Sequence, residues 1–386
     1  MAEWNDDAMP EPITVATLDL DALSHNVAIA RARAAGADIL VAVKANAYGH
    51  GAPVIARTLE SSGLVDALGV ALVAEAHELR SHGITLPILK FSHCLPGELD
   101  EAVAVGMWLT VVDDQTITEA EAAAERAGVE QVVHLKLDSG MGRIGSPLTD
   151  ATRLALAIDA SPHLRLEGVF THLPIADQPD DGGFTEDELD AFGAAVEAIA
   201  SARGPVRHVH ASNSAATLRR HRDWMTMVRP GIMVYGYSPD PIAMPEPDLR
   251  PVLGWTTRLT FLKHVRAGTT IGYGRTWTAP EDSWIGTIAV GYGDGFSRLN
   301  SNRGVVLVAG RMVPVVGRVC MDQTMINFGP DRPDVGVGEP VVIIGRSGDL
   351  VRTADEVADL MGTISYEVLC LVGERVPRVV TASGQE

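Results

Sequence analysis

Lys44 stands in VAVKANAYGHG, residues 41–51, directly after a short apolar run and before a tyrosine, a histidine and two glycines. An amine at a strand end is most often a solvated cap. Its chemical alternative is a nucleophile toward a carbonyl, held in place by the strand behind it. Asp138, His172, the segment from Ser212 to Ser214, and Arg229 also close apolar runs. His208 and His210 in HVH fall on one side of a strand, which suits metal ligation with His172 and Asp138 as further ligands. No second carboxylate–histidine cluster completes a two-metal set, so satisfied strand histidines stand level with ligands. RPGIMVYG (229–236) offers the amides of Gly231 and Ile232, and ASNSAA (211–216) offers hydroxyl and amide donors, both suited to an anion.

Those groups meet only if their strands converge. Short apolar runs alternate with amphipathic stretches that mostly end on glycine. ALSHNVAIARARAAG, for example, sets Leu23, Val27, Ala30 and Ala34 on one stripe and stops at Gly36. The runs LVAVK, ALGVA, LPILKF, LTVV, VVHLKLD, LEGVFTH, VRHVHAS and MVRPG predict the strands of an N-terminal (β/α)8 TIM-type barrel over residues 13–244. Stretches such as TITEAEAAAERAG and EDELDAFGAAVEAIASARG supply the helices. The proline-rich YGYSPDPIAMPEPDLRP reads as a linker. Beyond it, RLTFLKHV, WIGTIAVGYGDGF, GVVLVAG, VPVVGRV and PVVIIG predict a mostly-β C-terminal domain over residues 245–386, with TADEVADLMG its one helix and residues 1–12 expected to pack with it. In a barrel the C-terminal strand ends form one mouth, and the loops after strands seven and eight commonly hold phosphate. A lysine, a phosphate cradle and no metal set together point to pyridoxal 5'-phosphate.

Composition narrows the partners. The chain has 386 residues, is 46% hydrophobic and 21% charged, and carries a formal net charge of −19 with no basic cluster. That balance excludes nucleic acid and anionic lipid as partners and favours a small molecule. No 18-residue apolar run occurs and the first residues are acidic, so neither a membrane span nor a secretion signal is expected. Cys94, Cys320 and Cys370 are far apart, which predicts no disulfide framework and a cytoplasmic location.

Taken in order and spacing, VAVKANAYGHG, LKLDSGMGRIG, ASNSAA, RPGIMVYG, IGYGRTW, AVGYGDGFSR, GRVCMDQ and SYEVLC resemble, essentially end to end, the signature segments of alanine racemases, pyridoxal phosphate enzymes of fold type III. The resemblance implies that Lys44 carries the cofactor and acts as one of two bases. The other is Tyr273 of the partner subunit, in a homodimer with shared sites. It implies phosphate contacts from Tyr48, Ser214, Gly231, Ile232 and Tyr366, with Asn213 beside them. Arg143 is implied to meet the ring's phenolate oxygen and the substrate, oriented by Lys136, whose counterpart is carbamylated in some members. Arg229 is implied to face the pyridine nitrogen with support from His172. Met321 is implied to offer its amide to the substrate carboxylate, and Tyr292, Asp322 and Arg298 to line the entrance. The implied activity is interconversion of L- and D-alanine, supplying D-alanine for peptidoglycan. A decarboxylase on the same fold is expected to carry glutamate where Arg229 stands. Leu173 and Pro174 depart from the family pattern, and Ser92, His93 and Cys94 lie in a loop without a match.

Overall fold

A computed structural model describes residues 12–381 apart from 179, 220, 221 and 247. The chain divides into two compact units. One is Leu20–Arg250; the other joins the segment ending at Asp19 to the segment that begins at Pro251.

In the first unit each of the eight expected runs supplies a strand: Asp38–Ala42, Ala67–Val70, Ile88–Lys90, Met107–Val111, Gln131–Asp138, Leu164–Phe170, His208–His210 and Met227–Val228. They pair in parallel as a nearly closed barrel, the eighth strand returning to the first through the register Met227 to Asp38. Closure between the seventh and eighth strands is looser. There Thr226 N–H donates to Val209 O at 3.0 Å and Arg229 N–H to Ser212 O at 2.8 Å. Helices seal the outside by local rules. Asp113 caps Asp114–Ala127 by accepting from Thr116 N, Gly128 ends it in the left-handed region, and Ile117, Ala120, Ala123 and Ala124 form its buried stripe. The barrel interior is filled by rings set opposite glycines. A Cβ on Gly168 would lie 2.1 Å from His134 Nδ1, and one on Gly69 2.1 Å from the Phe91 ring.

The proline-rich stretch is not a free linker. Tyr235, Tyr237, Met244 and Leu249 are buried. The buried side chain of Asn26 donates to Val234 O at 3.1 Å and Arg250 O at 2.7 Å, and accepts from Arg250 N at 2.9 Å. Met244 and Leu249 pack, while Ile242 stays exposed.

The second unit is mostly β, built around the long strand Leu253–Val265. It pairs antiparallel with Val15–Leu18, Ser283–Ile288 and Pro340–Ser347. Val15–Leu18, which falls within the expected barrel bounds of 13–244, instead belongs to this unit and also lies parallel to Arg378–Val380. Ala16 and Leu18 are fully buried there. A second helix, Ser365–Leu371, joins the expected one at Ala354–Met361.

Candidate active site

The first barrel strand runs into a turn at Lys44–Tyr48 whose backbone is left-handed, with φ of +53° at Ala45, Asn46, Ala47 and Tyr48. Such a conformation costs about 1–2 kcal/mol at a residue with a Cβ. Several bonds offset it. Ala47 N–H donates to Val43 O at 2.8 Å and Gly49 N–H to Ala45 O at 2.9 Å. Asn46 Oδ1 accepts from Ala52 N at 2.7 Å, and Glu75 Oε1 from Ala45 N at 2.6 Å. The buried His50 ring donates from Nδ1 toward the Ala47 and Tyr48 carbonyls, both at 3.0 Å. Tyr235 packs against both rings, at 4.8 Å from Tyr48 and 4.6 Å from His50, and its hydroxyl donates to Ala42 O. The Lys44 ammonium stands 5.8 Å from the centre of the Phe91 ring.

This turn delivers the Tyr48 hydroxyl to Gly231, where a Cβ would lie only 2.7 Å from it. Ser214 Oγ, at the start of the helix Ser214–Arg219 that follows the seventh strand, accepts from Gly231 N at 2.9 Å and Met233 N at 3.4 Å. Two hydroxyls and the Gly231 amide thus form one small polar cradle that any side chain at Gly231 would fill. Ile232 opens the short helical turn Ile232–Tyr235 behind it. Asn213 has other work: Nδ2 donates to Leu173 O at 3.2 Å and Oδ1 accepts from Ala216 N at 3.1 Å.

Arg229, at the end of the eighth strand, is buried. Nη1 donates to His210 Nδ1 at 2.9 Å and His210 O at 2.7 Å, and Nη2 to Thr171 O at 2.6 Å and Ala211 O at 3.0 Å. His172, expected to support it, lies at 3.5 Å; the stronger partner is His210. A guanidinium only donates, so His210 Nδ1 accepts, and its Nε2–H donates to His134 Nδ1 at 2.9 Å. Burial pushes both imidazoles well below the usual range, so they are neutral. These bonds occupy both η nitrogens and leave Nε–H as the donor that no described residue takes up. They also commit the Nδ1 lone pair of His210 to Arg229. Among the described residues no group of three His, Cys, Asp or Glu side chains is arranged around a metal position.

Around the mouth positive charge accumulates. Burial, then Arg229 and Arg143, lower Lys136 to about 7, with its ammonium 4.4 Å from the Phe170 ring centre. Burial and Arg143 lower Arg229 to about 9, which leaves it charged at neutral pH. His172 is held at about 2 by burial and by Arg229, Lys136, Arg143 and Lys44. Asp138 is turned to the backbone, accepting from Gly140 N and Gly142 N, both at 3.1 Å. In a chain of net charge −19, this concentrates attraction for an anion at one place.

The remaining expected residues belong to the second unit. Tyr273 is 71% exposed, Met321 51% and Tyr292 42%. The Tyr292 loop is zipped to the Met321 loop, with Tyr292 N–H donating to Cys320 O at 3.0 Å and Gly293 N–H to Met321 O at 2.9 Å. Arg375, which no motif singled out, ties the two together by donating to Asp294 at 2.8 Å and to Asp322 at 2.7 Å. Arg298 opens the short turn Arg298–Asn300, and Tyr366 is half-buried on the helix Ser365–Leu371. The sequence-derived site is thus gathered into two sets, one on each unit.

Comparison with known proteins follows the same division. The family description "Alanine racemase, N-terminal domain" matches residues 18–239 and "Alanine racemase, C-terminal domain" residues 252–380. An alanine racemase of Cutibacterium acnes is 48% identical over 363 residues, covering 94% of this chain and 96% of the relative. One of Chlorobaculum tepidum is 41% identical over 384 residues, 98% of each chain. The crystal structure of alanine racemase from D-cycloserine-producing Streptomyces lavendulae has a TM-score of 0.91 at 34% identity, over 97% of this chain and 98% of that one. That of the Bacillus anthracis enzyme with bound L-Ala-P has a TM-score of 0.90 at 35% identity, over 98% and 97%. With both halves matched, and with relatives this similar over nearly their whole length, the chain belongs to the alanine racemase family.

Proposed function

We propose that this chain interconverts L- and D-alanine with pyridoxal 5'-phosphate, using Lys44 on one face of the substrate and Tyr273 of the partner subunit on the other. The observation that carries the reading is the barrel mouth itself. There a strand-end lysine, a hydroxyl and amide cradle closed to any Cβ at Gly231, and a buried arginine with a spare Nε–H lie together. Bound there, the cofactor supplies an electron sink that acidifies the proton on the substrate's α-carbon.

The protein's part is to hold groups and to move one proton. Tyr48, Ser214, Gly231 and Ile232 grip the phosphate, with Tyr366 completing the set and Asn213 shaping the loop beside it. Arg229 presents Nε–H to the ring nitrogen, and a guanidinium that keeps its proton leaves that nitrogen unprotonated. Held that way by Arg229, the ring would be a weaker electron sink, which would favour return of the proton to carbon over side reactions. His210, more than His172, fixes the guanidinium's plane. Inversion needs acid–base groups on both sides of one carbon: Lys44 Nζ takes or returns the proton on one side and the Tyr273 hydroxyl on the other. Arg143 would meet the ring's phenolate oxygen and, with the Met321 amide, the substrate carboxylate. Tyr292, with Tyr273 and Tyr366, would narrow the entrance, and Asp322 and Arg298 would line it. Carbamylation needs a neutral amine, which Lys136 at about 7 provides near neutral pH. The reading places the enzyme in the cytoplasm, as a homodimer supplying D-alanine to peptidoglycan.

Incubation of the cofactor-loaded protein with enantiopure L-alanine, followed by chiral chromatography, is expected to give an equimolar mixture. Lys44→Ala should lower the rate by about 10²-fold to 10⁴-fold or more. A loaded protein that produces no D-alanine overturns the reading.

A further inference from the structure

Consecutive left-handed residues bearing side chains do not persist unless the surroundings hold them. The turn's own bonds run from Ala47 and Gly49 back to Val43 and Ala45. The first amide after the lysine, Ala45 N–H, is taken by a different element, donating to Glu75 Oε1 at 2.6 Å. Glu75 lies on the helix Val73–Ser81, which follows the second barrel strand. Its other oxygen accepts from Ala71 N at 2.8 Å and Leu72 N at 3.0 Å. Capping its own helix accounts for Oε2 alone. The bond from Oε1 serves no helix; it joins the loop after the first strand to the loop after the second, one residue beyond Lys44. A carboxylate accepting a backbone N–H at this length makes a strong bond, and only a side chain as long as glutamate spans both loops.

We propose that Glu75 is a positioning residue for Lys44: its carboxylate fixes the left-handed turn and thereby the backbone from which the amine reaches the cofactor. The proposal rests on Lys44 being the cofactor lysine and adds a second residue to that assignment. Without the bond, Ala45 can relax toward the right-handed region, which swings the Lys44 Cα. Capture of an aldehyde by an amine tolerates little such displacement.

The test begins with the parent holoenzyme, in which borohydride reduction and peptide mapping should leave the pyridoxyl group on Lys44. A label on another lysine overturns the Lys44 assignment and this proposal with it. With the label on Lys44, the release of pyridoxal phosphate by hydroxylamine and its recapture are followed by absorbance. Glu75→Gln should release faster and recapture more slowly, each by at least about tenfold. Adding Ala45→Gly should bring both rates back to within about threefold of the parent, because glycine adopts positive φ without strain. Parental rates in Glu75→Gln, or a double variant no better than the single one, overturn the proposal. So does a lowered melting temperature with unchanged rates, the signature of a helix cap and nothing more. Should Glu75→Gln fail to fold, Glu75→Asp takes its place. It keeps the charge and the cap but falls short of Ala45, so the same slowed recapture is expected and parental rates are again fatal.

Discussion

Lys136 makes the protein's stability depend on pH in a direction that can be worked out. Its ammonium is disfavoured in the folded chain, where burial and the neighbouring arginines bring it from 10.5 to about 7. Below pH 7 it is charged both folded and unfolded, so the full cost of burying the charge is present. Between about 7 and 10.5 the unfolded chain holds a proton that the folded chain has lost, so stability rises with pH across that window. Lys136→Met should therefore raise the melting temperature most below pH 7, with the advantage shrinking toward pH 10.5. Thermal unfolding of both proteins across this range checks it; a difference that stays constant with pH would show that the charge is not the cause. Strand-end position made Lys44 and Arg229 legible in the sequence, because the ends of apolar runs converge on a barrel mouth, whereas Lys136, inside its run, came only from the family resemblance. Position could not reveal partners. The sequence leaves the strand that ends in His210 level between metal ligation and satisfied histidines, and the resemblance gives Arg229 to His172, whereas His210 makes the shorter bond and His134 extends it. The usable signal was there: His134 stands two residues before Lys136, hence on the same face of its strand.

The polar cradle proposed to hold phosphate is a property of elements, since the first strand's turn brings Tyr48 to the loop after the eighth. Gly231→Ala places a methyl 2.7 Å from the Tyr48 hydroxyl without touching the packed backbone. Overpacking of this kind costs about 1–3 kcal/mol, so pyridoxal phosphate should bind about tenfold or more weakly while the fold survives. Titration followed by absorbance, with circular dichroism as the control, reads both, and undiminished affinity would separate Gly231 from the phosphate. Periodicity showed all eight barrel strands because their apolar runs are compact and glycine closes the helices between them. Thr324–Gly329 and Ser365–Leu371 escaped it. The first does alternate, with Thr324, Ile326 and Phe328 buried, but it is short and crowded by turn residues; the second is barely two turns long. No local pattern announces the left-handed turn. Ala45 and Ala47 are good helix formers, and the sign of their φ is imposed by Glu75, Asn46 and His50.

The exposure of Tyr273 and Met321 suits groups that complete their surroundings on another chain. If Lys44 and Tyr273 of one site come from different subunits, Lys44→Ala and Tyr273→Phe homodimers each hold two defective sites. A mixed dimer holds one intact site and one doubly lesioned one. Free reassortment gives mixed dimers in about half the population, so roughly a quarter of all sites should recover, following two-fold symmetry. Co-expression with two affinity tags isolates the mixed species; activity no higher than that of either parent would place both bases on one chain. The same scale bears on how the chain is made. Val15–Leu18 leaves the ribosome before the barrel, yet Ala16 waits for Trp255 and for Arg378, which come after it. Until then it is an open edge, a template for the wrong strand. Val15–Leu18 is paired on both sides only once Arg378–Val380 has been made, so these two distant segments complete one sheet together. A nascent chain stopped just short of Arg378 would therefore have an unfinished beginning as well as an unfinished end.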